Sequence, residues 1–108
     1  LTREQMRLDL EALWLATRGG AEVLGRDDIG RLAPGFSADM IAINLNRVEY
    51  AGALHDPLAA LIFCAPRGVD FSMINGRVVV DGGGLATLDL SRVIERHNAI
   101  SRRMIANV

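Results

Sequence analysis

The sequence contains no lysine: all twelve basic residues are arginine, and thirteen acidic residues bring the net charge to −1. A pI near 6.1 means that the chain lacks the excess of positive charge with which proteins bind nucleic-acid phosphates. Its single cysteine, Cys64, cannot form an internal disulfide, which fits a reducing compartment. We therefore expect a cytoplasmic protein with no nucleic-acid partner.

Long apolar runs are absent as well. No stretch approaches the ~18 consecutive apolar residues that cross a bilayer, and no signal-peptide pattern opens the chain, so we expect no membrane partner. The first residue is Leu1 and not methionine, which indicates a processed product, a recombinant form or a fragment. Half of the residues are hydrophobic and 23% are charged, a composition that excludes a disordered tail. A length of 108 residues is enough to form one hydrophobic core.

Apolar residues at helical spacing occur near both ends of the chain. At the start, Thr2 and Gln5 have the arrangement of a capping box. The amphipathic helix predicted after them carries an apolar stripe of Met6, Leu10, Leu13, Trp14 and Thr17. Thr17 is expected to end this helix and to cap a second, short one that stops at Gly25. Near the other end, Asp89 can cap a final helix with a stripe of Val93, Ile94, Ile100, Met104 and Ile105.

The middle of the chain contains weaker signals. A loop is predicted over 27–37, followed by a strand over 38–45 that is apolar enough to need cover on both faces. Asp56 is placed to cap a short helix over 58–64, and Pro66 is expected to end it.

The clearest local signal is Asn75-Gly76, the sequence preferred by a two-residue type I′ hairpin turn. It joins the apolar runs 69–74 and 77–81. The two-residue loop predicts three facing pairs: Ile74 with Arg77, Met73 with Val78, and Phe71 with Val80. One side of the hairpin would then present to a core Val69, Phe71, Met73, Val78 and Val80. The glycines 82–84 are expected to end the hairpin.

Four segments resemble, in the same order, segments of a known family. The run 16–25 resembles the segment that closes the last barrel helices of metal-dependent amidohydrolases, and 29–41 resembles their G-x-L-x-P-G-x-x-A-D motif followed by an apolar strand. The run 55–61 is similar to a segment of cytosine- and guanine-deaminase-like members, and 69–80 resembles their closing hairpin. Together the four segments cover nearly the whole chain.

Within that family the chain most resembles the 8-oxoguanine deaminases and the aminohydrolases of hydroxylated triazines. This resemblance rests on 24–30, on 50–57, and on 88–90 leading into 96–98. It implies a parent enzyme that hydrolyses a carbon–nitrogen bond of a cyclic amidine or purine-like substrate. It also implies a divalent metal cofactor, zinc or iron, in that parent.

The resemblance implies an α/β parent fold, a (β/α)₈ barrel with a composite β-sandwich built from both chain ends. The chain itself would be an α+β piece with a strand, a short helix, the Asn-Gly hairpin and a C-terminal helix. Residues 1–26 would be the last helices of the barrel, 27–87 the C-terminal part of the sandwich, and 88–108 the C-terminal helix.

The resemblance assigns no catalytic, cofactor-binding or metal-binding residue to this chain. The H-x-H pair of the family is missing, and the two histidines, His55 and His97, fall in different predicted elements. Each residue that could have a chemical role also has a structural interpretation. Asp56 is expected to cap a helix that His55 precedes, and His97 to lie at a surface or interface. Cys64 is expected to be a small buried hydrophobic residue, Asp39 to accept turn hydrogen bonds, Arg102-Arg103 to form a solvated helix face, and Gly82-Gly83-Gly84 not to bind phosphate.

Two functional hypotheses follow. In the first, the chain is the inactive C-terminal fragment of an aminohydrolase, its partners being the N-terminal remainder of that enzyme and, for the parent, a small heterocyclic substrate. In the second, the chain is a stand-alone structural module that associates with itself. We expect a homo-oligomer, or else cover by a partner barrel, because the apolar stripe of the first helix and the strand over 38–45 need cover.

Overall fold

The computed structural model describes residues 2–64 and 67–107, and it describes no side chain at residues 5 and 6. The helices are α1 (Arg3–Trp14), a π-helical segment (Leu15–Gly19), α2 (Gly20–Val23), a 3₁₀ turn (Val48–Tyr50), α3 (Pro57–Phe63) and α4 (Leu90–Ala106). The strands are β1 (Met40–Ala42), β2 (Phe71–Ile74), β3 (Arg77–Asp81) and β4 (Gly84–Leu85). The expected side-chain roles of Gln5 and Met6, and Pro66 as the end of a helix, lie outside this described part.

The first helical region is continuous, so the predicted break at Thr17 is wrong. Trp14 and Gly20, on either side of the π-helical segment, both have right-handed helical dihedrals. The Thr17 hydroxyl donates to the backbone carbonyl oxygen of Leu13 at 2.8 Å and caps no new helix. A threonine inside a helix can bond back to the preceding turn in this way, which removes it from the capping role.

The predicted end of this helical region at Gly25 is confirmed. Gly25 has a φ of +65°, which a residue with a Cβ adopts only at a cost. Its N–H donates to the carbonyl oxygen of Glu22 at 3.0 Å, and the N–H of Arg26 donates to that of Ala21 at 3.0 Å. These two bonds form a Schellman motif, which satisfies carbonyl groups that the end of a helix leaves free.

The four strands form one antiparallel sheet in the order β1-β2-β3-β4. The strand predicted over 38–45 is only three residues long, and all three are exposed. The chain leaves the sheet after Ala42, because the carboxylate of Asp70 takes over the backbone N–H of Asn44 at 2.6 Å. The same carboxylate pairs with Arg47, so a side chain replaces the ladder partner that a longer strand would need.

The hairpin at Asn75-Gly76 is confirmed, and both turn residues have positive φ, +48° and +78°. Two of the predicted pairs, Ile74 with Arg77 and Met73 with Val78, are present. The third is wrong, because Val80 pairs with Ser72 and leaves Val79 as an extra residue in a β-bulge. Paired residues point to the same side of a sheet, so Val80 lies on the side of Ser72 and not on that of Phe71.

The prediction that the glycines at 82–84 end the hairpin is confirmed, since β3 ends at Asp81, but it missed a further strand that begins at Gly84. Gly82 and Gly83, with φ of +56° and +81°, form a second tight turn. Gly84 then starts β4 and pairs with Asp81, while Leu85 pairs with Val80. Gly-Gly suits a primed hairpin turn as Asn-Gly does, and this signal was available in the sequence.

The predicted caps of α3 and α4 are confirmed. The carboxylate of Asp56 accepts from the backbone N–H of Ala59 at 2.9 Å, and that of Asp89 accepts from Arg92 at 3.2 Å. Helix α4, however, buries no residue. The exposed apolar stripe of α4 includes Val93, Ile94, Ile100, Met104 and Ile105. This helix therefore has no packing partner in the described part of the chain.

The core is thin. Among the described residues the buried ones are Asp9, Ala21, Tyr50 and Ala60. The radius of gyration is 18.4 Å, whereas a compact domain of this length has about 13 Å. The chain therefore forms helices and strands, but few of their side chains are buried against other parts of the described chain.

Replacing Gly76 by valine should lower the free energy of unfolding by about 1 kcal/mol or more, because a β-branched residue resists positive φ. No atom stands within 4 Å of the position that a Cβ on Gly76 would take, so the loss would come from the backbone conformation alone. Gly20→Ala is the matched control: Gly20 is helical with open space around it, and alanine there should stabilise by about 0.5–1 kcal/mol. Chemical denaturation midpoints measure both changes, and an unmoved midpoint for Gly76→Val would contradict the turn assignment.

Candidate functional site

Asp39 binds the loop over 27–37 to the hairpin turn. Its Oδ1 accepts from the backbone N–H of Asn75 at 2.7 Å and from the hydroxyl of Ser37 at 3.1 Å. The backbone N–H of Gly76 donates to the carbonyl oxygen of Ala38 at 3.1 Å. The prediction that Asp39 accepts turn hydrogen bonds is confirmed, although the turn in question lies 36 residues along the chain. Oδ1 of this carboxylate is therefore occupied as a structural acceptor.

The two histidines lie in different parts of the fold. His55 is exposed in the approach to α3, and His97 is exposed on α4. Cys64, at the end of α3, is half-buried. Arg102 and Arg103 are exposed on α4. The structure brings none of these side chains into one site.

The described residues do not fit a zinc or iron centre. No group of three or more His, Cys, Asp or Glu side chains among residues 2–64 and 67–107 is placed to hold a metal ion. A catalytic zinc site needs three converging protein ligands and an open position for water.

No described helix is long and apolar enough to cross a membrane.

An apolar groove of about 560 Å³ lies between the helical region and the sheet. One wall comes from the π-helical segment and α2, including Thr17 and Leu24, and the other from β1 and β2, including Ile41 and Met73. Strand β1 is at the edge of the sheet, and Ile41 is 62% exposed. An apolar groove beside a free strand edge is the kind of surface that another piece of polypeptide covers.

A short loop beside the groove is held by charge. Arg26 donates two hydrogen bonds to the carboxylate of Asp28, at 2.8 and 2.6 Å. These bonds lower the pKa of Asp28 below its ordinary value, so the pair is intact at neutral pH and is lost only as the pH falls through that lowered value. Nearby, the guanidinium of Arg31 lies 4.2 Å from the ring centroid of Phe36. Both contacts hold the shape of the loop.

Comparison with known proteins places this geometry in one family. The family model described as "Amidohydrolase family" matches residues 2–79. The chain is 45% identical over 95 residues to the 8-oxoguanine deaminase of Pseudomonas aeruginosa, a match that covers 88% of this chain and 21% of that protein. It is 44% identical over 96 residues to the hydroxydechloroatrazine ethylaminohydrolase of Pseudomonas sp. strain ADP, covering 86% of this chain and 20% of that protein.

Solved structures show the same relationship in three dimensions. An atrazine chlorohydrolase from Arthrobacter aurescens TC1, complexed with zinc, matches with a TM-score of 0.75 and 35% identity, over 84% of this chain and 20% of that one. An adenosine deaminase from Xanthomonas campestris with bound zinc matches with a TM-score of 0.77 and 30% identity, over 87% and 22%. The chain thus spans about a fifth of the length of the proteins it matches.

Sequence reasoning missed two features of this surface. It did not identify Asp70 as the carboxylate that ends β1, since that contact joins residues 26 positions apart. It also did not identify the burial of Asp9, a charged residue inside a helix whose polar positions were expected to face water.

Proposed function

Since this chain belongs to the amidohydrolase family, we propose that it is the C-terminal part of a metal-dependent aminohydrolase that deaminates a cyclic amidine or purine-like substrate. The observation that carries the proposal is the 45% identity to an 8-oxoguanine deaminase across nearly the whole chain. The match to zinc-containing enzymes at a TM-score of 0.75 supports it. The chain alone is inactive in this proposal, because its described residues converge on no metal or substrate.

The proposal divides the chain by what each part covers in the parent. Residues 1–26 are the last helices of a (β/α)₈ barrel, 27–87 the C-terminal part of a composite β-sandwich, and 88–108 a C-terminal helix. The apolar groove and the free edge of β1 support this division, since they are the surfaces on which the N-terminal remainder would lie. The exposed stripe of α4 is a further surface of this kind.

The chemistry belongs to the N-terminal remainder in this proposal. The ligands of the divalent metal, zinc or iron, and the groups that move protons lie there, because this chain offers neither. What this chain supplies is cover for the barrel and a rigid sandwich, in which the carboxylate of Asp39 ties the loop to the hairpin. A cytoplasmic location accompanies the proposal, supported by the single unpaired Cys64.

The second candidate function is a stand-alone module that associates with itself. Its supporting observation is the large apolar surface exposed by the groove, by β1 and by α4. The two candidates differ in one measurable respect. A piece of an aminohydrolase completes the missing part of a related enzyme, whereas a self-associating module does not.

A fusion tests the first candidate directly. The C-terminal fifth of the Pseudomonas aeruginosa 8-oxoguanine deaminase is replaced by residues 1–108 of this chain. The fusion should be soluble, retain about one metal ion per chain and release ammonia from 8-oxoguanine, because the exchanged segments are 45% identical over 95 residues. The same enzyme truncated at the junction should be inactive, since its barrel and sandwich are left uncovered.

Two outcomes would contradict the proposal. One is a folded fusion that binds metal but releases no ammonia. The other is an insoluble fusion together with a failure of the truncated enzyme and the 108-residue chain to co-purify when they are expressed as separate polypeptides. A fusion carrying Gly76→Val serves as a control and should be less stable than the parent fusion.

A further inference from the structure

Among the described residues, the carboxylate of Asp9 contributes the buried side-chain oxygens that have no hydrogen-bond partner. The residue lies in the middle of α1, is 1% exposed, and both of its carboxylate oxygens are buried with no hydrogen-bond partner among the described residues. A buried charge without a partner is strongly unfavourable. Such a group in a folded protein requires an explanation, either a ligand or another conformation.

Helix α1 buries a charged residue and exposes the apolar residues next to it. It lies against α3 and buries Asp9, while Leu8 and Leu10 on either side are 59% and 58% exposed. An amphipathic helix gains stability by burying its apolar residues and exposing its charged ones. The burial of Asp9 beside two exposed leucines is therefore unfavourable for this helix.

Two other aspartates of this chain show what satisfies such a carboxylate. Asp56 and Asp89 each precede a helix, and each accepts a hydrogen bond from the backbone N–H three residues later. Aspartate is among the preferred residues at this N-cap position. The equivalent donor for Asp9 would be the backbone N–H of Ala12.

The residues around Asp9 fit a helix start there. Leu8 precedes Asp9 and Leu13 follows it by four positions, which is the spacing of a hydrophobic staple across an N-cap. Glu11 would fall in the first turn, where the helix dipole favours negative charge. Residues 8–13 thus contain a helix-start signal that α1, which begins at Arg3, does not use.

We propose that α1 has two starts, one at Arg3 in the separate chain and one at Asp9 when the N-terminal remainder covers the chain. In the second state residues 3–8 leave the helix, the Asp9 carboxylate accepts from the backbone of Ala12, and Leu8 and Leu10 bury against the barrel. Docking and capping thereby favour each other. This inference rests on the proposed function for the nature of the covering surface.

Hydrogen exchange on the 108-residue chain and on the active fusion tests the inference. In the separate chain, the amides of Leu8 and Asp9 should be protected, because they donate within a helix that begins at Arg3. In the fusion they should exchange at least about tenfold faster than the amide of Leu13. Equal protection of these amides in an active fusion would overturn the inference without touching the proposed function.

Three variants provide a second readout. In the fusion, Asp9→Ala should speed hydrogen exchange of the Ala12 amide by about fivefold to tenfold. With Asp9→Ser or Asp9→Asn, whose side chains can cap a helix, the exchange rate of this amide should stay within about threefold of that in the unsubstituted fusion. In the separate chain, Asp9→Ala should raise the denaturation midpoint, since it removes a buried charge and introduces a better helix former. A lowered midpoint there would show that Asp9 already caps the helix and would overturn the two-start scheme. An inactive fusion whose pieces do not associate would instead refute the proposed function.

Discussion

Sedimentation equilibrium of the 108-residue chain at micromolar concentration should detect dimers or larger assemblies and no stable, cooperatively folded monomer. The total solvent-accessible surface is 8608 Å², whereas a compact monomer of this mass exposes about 5,900 Å². The excess includes the apolar groove, the edge of β1 and the stripe of α4. We expect association with a second copy of the chain to bury these surfaces when no other partner is present.

The size of the effect follows from the exposed area. If one uncovered apolar face is on the order of 500 Å², leaving it in water forfeits ~12 kcal/mol at ~25 cal/mol per Å². A whole domain is stable by only ~5–15 kcal/mol. A single uncovered face is therefore comparable to the entire stability of a domain, and association in a closed symmetric form removes the deficit.

A pair of arginine substitutions separates association from other effects. Ile41→Arg places a charge on the free edge of β1 and should shift the chain towards monomers or towards unfolding. Val48→Arg changes a residue that is 85% exposed and lies outside the groove, and it should leave the assembly unchanged. The exposed-surface argument would be wrong if the unsubstituted 108-residue chain were a folded monomer, or if both variants had the same distribution of monomers and assemblies.

Metal analysis and an ammonia assay of the same chain should both give negative results. The purified chain should bind neither zinc nor iron stoichiometrically, and it should release no ammonia from any purine or triazine. The physical reason is the number of ligands: His55 and His97 lie on separate elements, and a lone histidine cannot hold a metal with an open position for water. This expectation is all-or-none, in contrast to the graded stability changes.

The opposite result would be informative. About one tightly bound ion per chain would mean that residues from two or more copies converge on a shared site. Replacing His55 and His97 by alanine, singly and together, would then identify which copy supplies the ligands. Ammonia release by the separate chain would contradict the assignment of catalysis to the N-terminal remainder.

Local structure could be predicted from the sequence wherever a few adjacent residues decide it. The caps at Asp56 and Asp89 and the helix end at Gly25 depend on one side chain or one φ angle and its immediate neighbours. The Asn75-Gly76 turn is decided by two residues that tolerate positive φ. The family relationship was also evident from the residues, because its segments are short and contiguous.

The predictions failed where hydrogen bonding in the folded chain overrides the local sequence pattern. The strand over 38–45 was predicted from its apolar residues, but the carboxylate of Asp70 captures its backbone and ends it after Ala42. The pairing of Phe71 with Val80 was predicted from a regular ladder, and the bulge at Val79 displaced it. Thr17 had a valid capping sequence, and the continuous helix used its hydroxyl otherwise.

Neighbouring residues in the sequence were enough to specify the helix end at Gly25, the caps at Asp56 and Asp89 and the Asn75-Gly76 turn, because each depends on local backbone preferences. The family was likewise recognisable from short contiguous segments. The tertiary structure alone decided where β1 stops, how the hairpin is registered and which face of α1 is buried. These outcomes depend on hydrogen bonds and burial between residues far apart in the chain, which local preference does not encode. The burial of Asp9 shows this most clearly, since the same residues that signal a helix start there lie inside a helix that begins six residues earlier.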